Sequence, residues 1–243
     1  MKYDESLMPS SDLAHYVGSG TDMENFKQVG LKAMNKLEDL GGLRCTDHVL
    51  EVGCGIGRIA IPLTGFLSEG SYEGFDVVRH GIEWCQKVIT PKYPQFRFQW
   101  VDLYNKTYNP DSQIPANQYP FPYPDETFDF TFLTSVFTHL LPSDLQHYLS
   151  EIWRTLKGGG VCFFTAFLVN DDVRRHLSTS QRPFQDVGEY WTLNPDQHED
   201  GVGYDQALLE GWLREQSFAI RLMQYSHWWA TGIGQDLVVV KKL

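Results

Sequence analysis

Apolar and polar positions alternate along this chain with two different periods. Short runs of nearly continuous apolar residues, typical of strands buried on both faces, are separated by stretches whose apolar residues recur at helical spacing. The predicted strands are "HVLEV" (48–52), "SYEGFDVV" (71–78), "RFQWVDL" (97–103), "TFDFTFLTS" (127–135), "VCFFTAFL" (161–168), "AIRLMQYS" (219–226) and "QDLVVVKK" (235–242). The predicted helices cover residues 21–40, 58–67, 81–89, 143–156 and 205–216.

The order of these elements predicts the fold class. Strands that alternate with helices form a parallel sheet whose two faces the helices cover. The last two strands have no helix between them, and the turn signal "TGIG" precedes the final one, so we expect an antiparallel last strand. The sequence therefore predicts an α/β fold: a doubly wound, Rossmann-like, mostly parallel sheet of seven strands with an antiparallel last strand.

Two irregular stretches interrupt this pattern. Residues 1–20 are polar and are expected to form an N-terminal arm, whereas residues 21–243 are expected to form one domain. Within that domain, residues 104–124 are rich in Pro, Tyr and Asn and have no period, which predicts an inserted surface loop. Residues 170–204 are mixed in character and are expected to form a cap over a substrate. Long loops of this kind are often functional.

Composition narrows the class of protein. Hydrophobic residues make up 42% of the chain, enough for a full core, and the formal net charge of −11 disfavours a nucleic-acid partner. The four cysteines match no zinc or redox spacing, so we expect no metal. The amino terminus lacks the apolar core of a signal peptide, and the longest apolar run is about half of a membrane span. We expect a cytoplasmic protein with no membrane partner.

The most informative stretch is "VLEVGCGIGR", in which a predicted strand runs into three glycines at alternate positions, Gly53, Gly55 and Gly57. A glycine-rich turn between the first strand and the first helix of such a sheet is typical of a nucleotide-type pocket. Dinucleotide binding prefers G-x-G-x-x-G, but Arg58 stands where the third glycine of that pattern would fall. The glycines alone leave the ligand open, since such turns also occur for purely conformational reasons.

Three acids discriminate between the ligands. Glu51 lies just before the turn, Asp76 ends the second strand, and Asp102 ends the third. A carboxylate repels a pyrophosphate but attracts an amino group, and it accepts hydrogen bonds from ribose hydroxyls. Each acid alone is more often a solvated residue at a strand end. Together they favour a cationic nucleoside without phosphates, S-adenosylmethionine.

These residues resemble a known family. "VLEVGCGIGR", "GFDVV" and "VDLYN" resemble the cofactor motifs of the class I S-adenosylmethionine-dependent methyltransferases, close to the small-molecule group often called type 11 or 12. "FPYPDETFDFTFLTSVFTHL", "LSEIWRTLKGGG" and "QDLVVVKK" resemble the same family's later elements. The resemblance covers roughly residues 28–170 and the last strand. It is specific for fold and cofactor and uninformative about the substrate.

The resemblance also implies roles for individual residues. It places the methionine end of the cofactor against the glycine turn and Glu51, and the ribose against Asp76. The base is expected beside Val77 and between Asp102 and Leu103, with Thr134 or Ser135 beneath the sulfonium. Tyr16, in the segment before the first helix, is expected to fold over the cofactor. The implied cofactor-binding set is Glu51, Gly53, Gly55, Gly57, Asp76, Val77, Asp102, Leu103, Thr134, Ser135 and Tyr16.

Candidate acceptor-side residues follow the fourth strand and lie in the cap region. His139, in "SVFTHL", is the candidate general base, although a histidine there can simply bond to the backbone. Amphipathic aromatics suit the wall of a pocket for an organic substrate, but ordinary packing accounts for any one of them equally well. The candidate substrate residues are Trp191, His198, Tyr204, His227 and Trp228.

Three functions remain in competition. The first is transfer of a methyl group from S-adenosylmethionine to an oxygen or nitrogen atom of a small-molecule metabolite. The second is an NAD(P)-dependent oxidoreductase, which Glu51 and the missing third glycine disfavour. The third is a protein that binds the cofactor without catalysis. Methylation of a protein is a weaker alternative to the first.

Overall fold

The computed structural model describes residues 3–14, 22–106 and 108–243. These residues group into two compact units. The first contains the chain up to Pro115 together with Phe128–Phe132, and the second contains Ala116–Thr127 and Leu133–Leu243. Tyr16 lies outside the described residues.

The described residues contain ten strands and eight α-helices. The strands are β1 His48–Val52, β2 Ser71–Asp76, β3 Phe96–Trp100, β4 Phe128–Leu133, β5 Leu156–Val169, β6 Gln185–Asp186, β7 Trp191–Thr192, β8 Val202–Asp205, β9 Phe218–Gln224 and β10 Asp236–Lys242. The helices are α1 Ser11–Ala14, α2 Met23–Asp39, α3 Ala60–Leu63, α4 Arg79–Val88, α5 Pro142–Thr155, α6 Asp171–His176, α7 Gln206–Glu215 and α8 Trp228–Thr231.

The first unit is built on strands in the order β3-β2-β1-β4. β1 pairs in parallel with β2, and β2 pairs in parallel with β3, in a register that aligns Glu51 with Gly74. The apolar residues of β1 are buried, as a strand covered on both faces requires. The carboxyl ends of β1, β2 and β3 therefore lie at one edge, where this type of sheet binds ligands.

The second unit is built around the long strand β5. β10 pairs antiparallel with β5 and with β9, so the strand pair at the end of the chain is antiparallel, as predicted. The last residues of β5 pair in parallel with β8, which continues antiparallel to β7, and β7 continues antiparallel to β6. An aromatic cluster of Phe167, Phe184 and Trp228 fills the space beside this extension.

The predicted α/β, Rossmann-like fold with parallel strands and antiparallel carboxyl-terminal strands is confirmed, but the strand number is wrong. Three additional strands, β6, β7 and β8, lie in residues 185–205, almost all of which the sequence predicted only as a cap. Two of them are two residues long, too short to produce a period of alternation.

Element bounds differ most at β5, predicted over 161–168 but observed over Leu156–Val169, and at the first helix after the glycine turn, predicted over 58–67. α3 covers only Ala60–Leu63, and Pro62, which has no N–H, lies inside it. The helix predicted over 21–40 is α2. Its N-cap is Asp22, whose carboxylate accepts a hydrogen bond from Asn25 N at 3.0 Å.

No helix in the described parts of the chain is both long enough and apolar enough to cross a bilayer.

Candidate active site

The glycine turn after β1 lies in the first unit, and its backbone conformation requires glycine. Gly53, Gly55 and Gly57 have φ values of +77°, +55° and +73°, in the left-handed region that L side chains rarely adopt. At Gly57 a Cβ atom would also lie 3.1 Å from the Cys85 sulfur. The positive φ values and the contact with Cys85 are both internal to the protein. They produce a turn whose backbone carries no side chains at these three positions.

The N–H groups of this turn are already bonded to the protein. Gly53 N and Cys54 N donate to the Phe75 carbonyl at 2.9 and 3.1 Å, and Gly57 N donates to the Cys54 carbonyl at 2.9 Å. Gly55 N donates to the Asp76 carboxylate at 2.7 Å. A phosphate-binding turn needs such groups free to face the anion. This turn therefore lacks the free donors that a pyrophosphate would use at these four positions.

Asp76, at the end of β2, is held beside the turn by two backbone donors. Its Oδ2 atom accepts from Gly55 N at 2.7 Å, and its Oδ1 atom accepts from Val78 N at 2.8 Å. Burial raises the pKa of the Asp76 carboxyl above its usual range, and the backbone hydrogen bonds from Val78, Gly55 and Val77 act in the opposite direction. A carboxylate has about four lone-pair positions, so Asp76 keeps acceptor capacity for a hydroxyl group.

Glu51 is the most buried of the three predicted acids, with 2% of its surface exposed. The Tyr72 hydroxyl donates to its Oε2 atom across the β1–β2 pair. Burial raises the pKa of Glu51 to about 8, although the Tyr72 bond and the nearby Arg58 charge lower it. At neutral pH the carboxyl therefore holds a proton, and a nearby cation would favour its ionised form.

Asp102 is exposed and lies two residues beyond the end of β3, in contact with the following loop. Asn109 donates from Nδ2 to the Asp102 carboxylate and to the Leu103 carbonyl, both at 2.9 Å. Ser112 donates from its hydroxyl to the Asp102 carbonyl at 3.0 Å. These bonds fold the first part of the predicted inserted loop back onto the end of β3.

A cleft of about 310 Å³ opens at this edge of the first unit. It brings together Val77 and Asp102, which the sequence predicted on either side of the base. Trp100 was not predicted: its indole N–H donates to the Val77 carbonyl at 3.1 Å, and the Arg79 guanidinium lies 5.0 Å from its ring centre. The remaining lining residues are His80, Tyr108, Asn109, Asp111 and Ser112. Only strand pairing and loop geometry, which the sequence does not display, bring these residues to the cleft.

In the second unit, Ser135 follows the half-buried Thr134 and has an unusual backbone. Its φ of +59° lies in the left-handed region, which is uncommon for a residue other than glycine. Ser135 N donates to the Thr165 hydroxyl at 2.9 Å, and its own hydroxyl accepts from Gln235 Nε2 at 3.0 Å. The sequence predicted Thr134 and Ser135 but gave no signal for Thr165 or Gln235.

His139 ends a one-turn 3-10 helix, Phe137–His139, and its ring is exposed. Its Nδ1 atom lies 2.7 Å from the Glu199 carbonyl oxygen. Since a carbonyl only accepts, Nδ1 carries the hydrogen, and Nε2 of the neutral ring keeps its lone pair. The two alternatives for His139, a general base and a bond to the backbone, are therefore compatible. Nδ1 bonds to the backbone, and Nε2 of the neutral ring can accept a proton.

The predicted substrate residues divide into two groups in the second unit. His198 and Tyr204 lie near His139: the Tyr204 hydroxyl bonds to the Phe137 and Leu140 carbonyls, and His198 Nδ1 bonds to the Tyr190 hydroxyl. Trp191 packs against the aromatic cluster that contains Trp228, whose indole donates to Asp236 at 2.8 Å. His227 is exposed beside α8, with a φ of +54°. Tyr204 and Trp228 are fully buried, where they pack against neighbouring side chains and form the hydrogen bonds described above.

Part of this chain is similar in sequence to known methyltransferases. Residues 50–164 match the family model described as "Methyltransferase domain". A tRNA N(3)-cytidine methyltransferase of Gallus gallus is 29% identical over 140 residues, which cover 54% of this chain and 33% of that protein. A phthiotriol/phenolphthiotriol dimycocerosates methyltransferase of Mycobacterium tuberculosis is 31% identical over 135 residues, covering 56% of this chain and 42% of that protein. The chain thus spans less than half the length of either relative.

Among solved structures, the fold is similar to that of a Burkholderia thailandensis 1,6-didemethyltoxoflavin-N1-methyltransferase. The TM-score is 0.60 at 16% sequence identity, over 97% of this chain and 87% of the other. This likeness supports the fold. Residues 50–164 thus match a methyltransferase domain, and the chain has the fold of solved S-adenosylmethionine-dependent methyltransferases.

Proposed function

We propose that this chain transfers the methyl group of S-adenosylmethionine to an oxygen or nitrogen atom of a small-molecule metabolite. One observation carries the proposal: at the glycine turn, the N–H groups of Gly53, Cys54, Gly55 and Gly57 are used by the protein, while the carboxyls of Glu51 and Asp76 lie close by. Such a turn suits a cationic ligand better than a phosphate. The same observation disfavours the oxidoreductase alternative.

The first unit would bind the three parts of the cofactor: its amino-acid tail, its ribose and its base. The amino-acid tail would lie on the side-chain-free backbone of Gly53 and Gly55, with its ammonium group toward Glu51. The ribose hydroxyls would donate to the free lone pairs of Asp76, which the backbone already orients. The base would lie beside Val77 in the cleft that Asp102 also lines. The bound cofactor supplies the activated methyl group and its own leaving group, so the protein's task is chiefly positioning.

In the second unit, His139 is the proposed general base for the methyl acceptor. A hydroxyl or ammonium acceptor must lose a proton to become nucleophilic, and the Nε2 lone pair of His139 can take it. The Glu199 carbonyl fixes the tautomer and the orientation of the ring. Ser135 and Thr134 remain proposed contacts beneath the sulfonium. Among the predicted substrate residues, Trp191, His198 and His227 remain proposed contacts of the acceptor.

Net charge bears on the choice between the two acceptor classes that the names of the relatives suggest. One relative is named for action on tRNA and another for action on phthiotriol and phenolphthiotriol dimycocerosates. A net charge of −11 opposes binding to a phosphate backbone, so the small-molecule acceptor is the better supported of the two.

Ligand-dependent melting followed by turnover tests the proposal. S-adenosylmethionine and S-adenosylhomocysteine should raise the melting temperature, whereas NAD should not. Asp76→Asn should abolish that rise, and Glu73→Gln, a matched change on the same strand at a residue paired with Arg97, should preserve it. A chain stabilised by NAD alone would contradict the proposal.

Turnover separates an enzyme from a protein that only binds the cofactor. With a panel of hydroxyl and amine acceptors, the wild-type chain should release S-adenosylhomocysteine, and His139→Gln should lower kcat roughly 100-fold or more while leaving cofactor binding intact. Tight cofactor binding without turnover on any acceptor would favour the non-catalytic alternative.

A further inference from the structure

Glu51 has a specific hydrogen-bond partner, Tyr72, on the neighbouring strand of the first unit. Tyr72 lies on β2, two residues before Gly74, which pairs with Glu51. Side chains two apart on a strand share a face, so the Tyr72 ring lies diagonally across from the carboxyl. The ring is fully buried and stacks on Phe96 with centres 5.1 Å apart. Its hydroxyl donates to Glu51 Oε2.

Gly74 provides the space that this hydrogen bond needs. A Cβ atom at position 74 would lie 2.6 Å from the Tyr72 hydroxyl oxygen and 3.0 Å from the Cys54 side chain. The first distance is shorter than any normal contact of a Cβ atom. A side chain at this position would therefore displace the tyrosine hydroxyl from Glu51.

The groups that face Glu51 differ in their effect on its charge. From β2, the Tyr72 hydroxyl bond favours the carboxylate and the Asp76 charge opposes it; from the segment after the turn, the Arg58 charge favours it. The thiols of Cys54 on the turn and Cys85 on α4 also face this group, and burial raises the pKa of both. Burial has the largest effect on Glu51 itself and raises its pKa to about 8.

We infer that Tyr72 is a positioning residue for cofactor binding: its hydroxyl holds Glu51 in place and favours the ionised carboxylate that receives the ammonium group of the cofactor's amino-acid tail. Binding of the tail is then coupled to release of one proton from Glu51 to solvent. This inference rests on the proposed function and deepens it, since it assigns the electrostatics of the same site to a residue outside the glycine turn.

The coupling predicts how affinity depends on pH. Between pH 6 and pH 8, the affinity for S-adenosylhomocysteine should rise with pH, by up to about tenfold per unit, because less free energy is needed to deprotonate Glu51. 5′-Methylthioadenosine has the same nucleoside and no amino-acid tail. Its affinity should not follow this trend.

Calorimetric titration of the whole chain with both ligands at several pH values tests the inference. Tyr72→Phe should move the S-adenosylhomocysteine profile alkaline by roughly one to two pH units, the expected effect of one hydrogen bond to a charged group. At pH 7 this is roughly a ten- to hundredfold loss, recovered at higher pH. The affinity for 5′-methylthioadenosine should be unchanged in the same variant.

Two further variants keep the test decisive. Gly74→Ala should reproduce the alkaline shift without altering the tyrosine. Tyr93→Phe removes another tyrosine hydroxyl that bonds to a carboxylate, that of Asp4 at 3.0 Å, and should leave both profiles unchanged.

The outcomes separate this inference from the proposed function. A pH-independent affinity for S-adenosylhomocysteine in the wild type, or wild-type profiles in both Tyr72→Phe and Gly74→Ala, would overturn the inference and leave cofactor binding standing. A wild-type chain that binds neither nucleoside would overturn the proposed function and the inference together.

Discussion

At the scale of single residues, the candidate site consists of carboxyl groups whose surroundings differ sharply. Asp76 is oriented by two backbone N–H groups, whereas Glu51 is buried against one tyrosine hydroxyl and near one arginine. Both acids could be predicted from the sequence because each stands at the end of a recognisable strand. Tyr72 could not be predicted, because its contact with Glu51 depends on the register of two strands and on the space that Gly74 leaves.

The buried carboxyl makes a prediction about stability and pH. Its pKa in the folded chain is about 8, above its ordinary value of 4.5, so the folded state binds a proton that the unfolded state has released. The contribution of Glu51 to the free energy of unfolding is therefore fully present below pH 4.5 and is lost as pH rises to about 8. Its slope reaches about −1.4 kcal/mol per pH unit.

Glu51→Gln should remove this contribution, because glutamine does not titrate. Urea unfolding of wild type and variant between pH 5 and pH 8 measures it: the variant should gain stability relative to wild type as pH rises. Glu83→Gln, an exposed change on α4, serves as the control. If the stability difference between wild type and Glu51→Gln is the same at every pH, Glu51 does not titrate as described.

At the scale of elements, those with a clear pattern and clear ends could be predicted, whereas the two-residue strands could not. β1 was predicted at its observed bounds, and α5 was predicted within one residue at each end, because sustained periodicity and breakers mark them. The segment between β5 and α7 contains two strands of two residues each. Those strands, β6 and β7, exist through pairing with each other and with β8, which in turn pairs with the end of β5, and local pattern does not encode such pairing.

The turn that carries His139 is held by the same segment. The buried Tyr204 hydroxyl lies 3.1 Å from the Phe137 carbonyl and also bonds to the Leu140 carbonyl, and the Glu199 carbonyl accepts from the His139 ring. Tyr204, which was predicted as a substrate residue, therefore supports the turn of the proposed base, as does the Glu199 carbonyl, which was not predicted.

Tyr204→Phe should destabilise the chain by about 1–3 kcal/mol, because it removes the buried hydroxyl that donates to the Phe137 and Leu140 carbonyls. Urea unfolding measures the loss, and hydrogen exchange at the His139 amide, which donates to the Val136 carbonyl at 2.9 Å, reports whether the turn opens. Tyr225→Phe, which removes an exposed hydroxyl bonded to Gln206, should cost less than about 0.5 kcal/mol. Equal effects of the two variants would mean that the Tyr204 hydroxyl does not hold the turn.

At the scale of the whole molecule, alternating strands and helices were enough to predict the fold class, and charge is the property that bears most on the acceptor. Net charge could be taken directly from the sequence, whereas the acceptor could not, because a methyl donor site is compatible with many acceptors. With 31 acidic and 20 basic side chains, the chain has no excess of cations to neutralise a phosphate backbone.

The charge predicts that tRNA is not the acceptor, although one relative is named for action on tRNA. At 150 mM salt, bulk tRNA should bind more weakly than about 100 µM and should accept no methyl group from S-adenosylmethionine. Gel-shift and filter assays with labelled donor measure both. Salt-sensitive tRNA binding at micromolar concentration, accompanied by methyl incorporation, would overturn the small-molecule proposal.

The central claim is that carboxyl groups at the strand ends of the first unit bind a cationic nucleoside. A crystal structure of the chain with S-adenosylhomocysteine tests it most directly. We predict ribose hydroxyl oxygens within about 3.2 Å of the Asp76 carboxylate and the ligand's amino group directed toward Glu51. A nucleoside bound elsewhere, with Asp76 facing only solvent, or a phosphate seated on the glycine turn, would contradict the account.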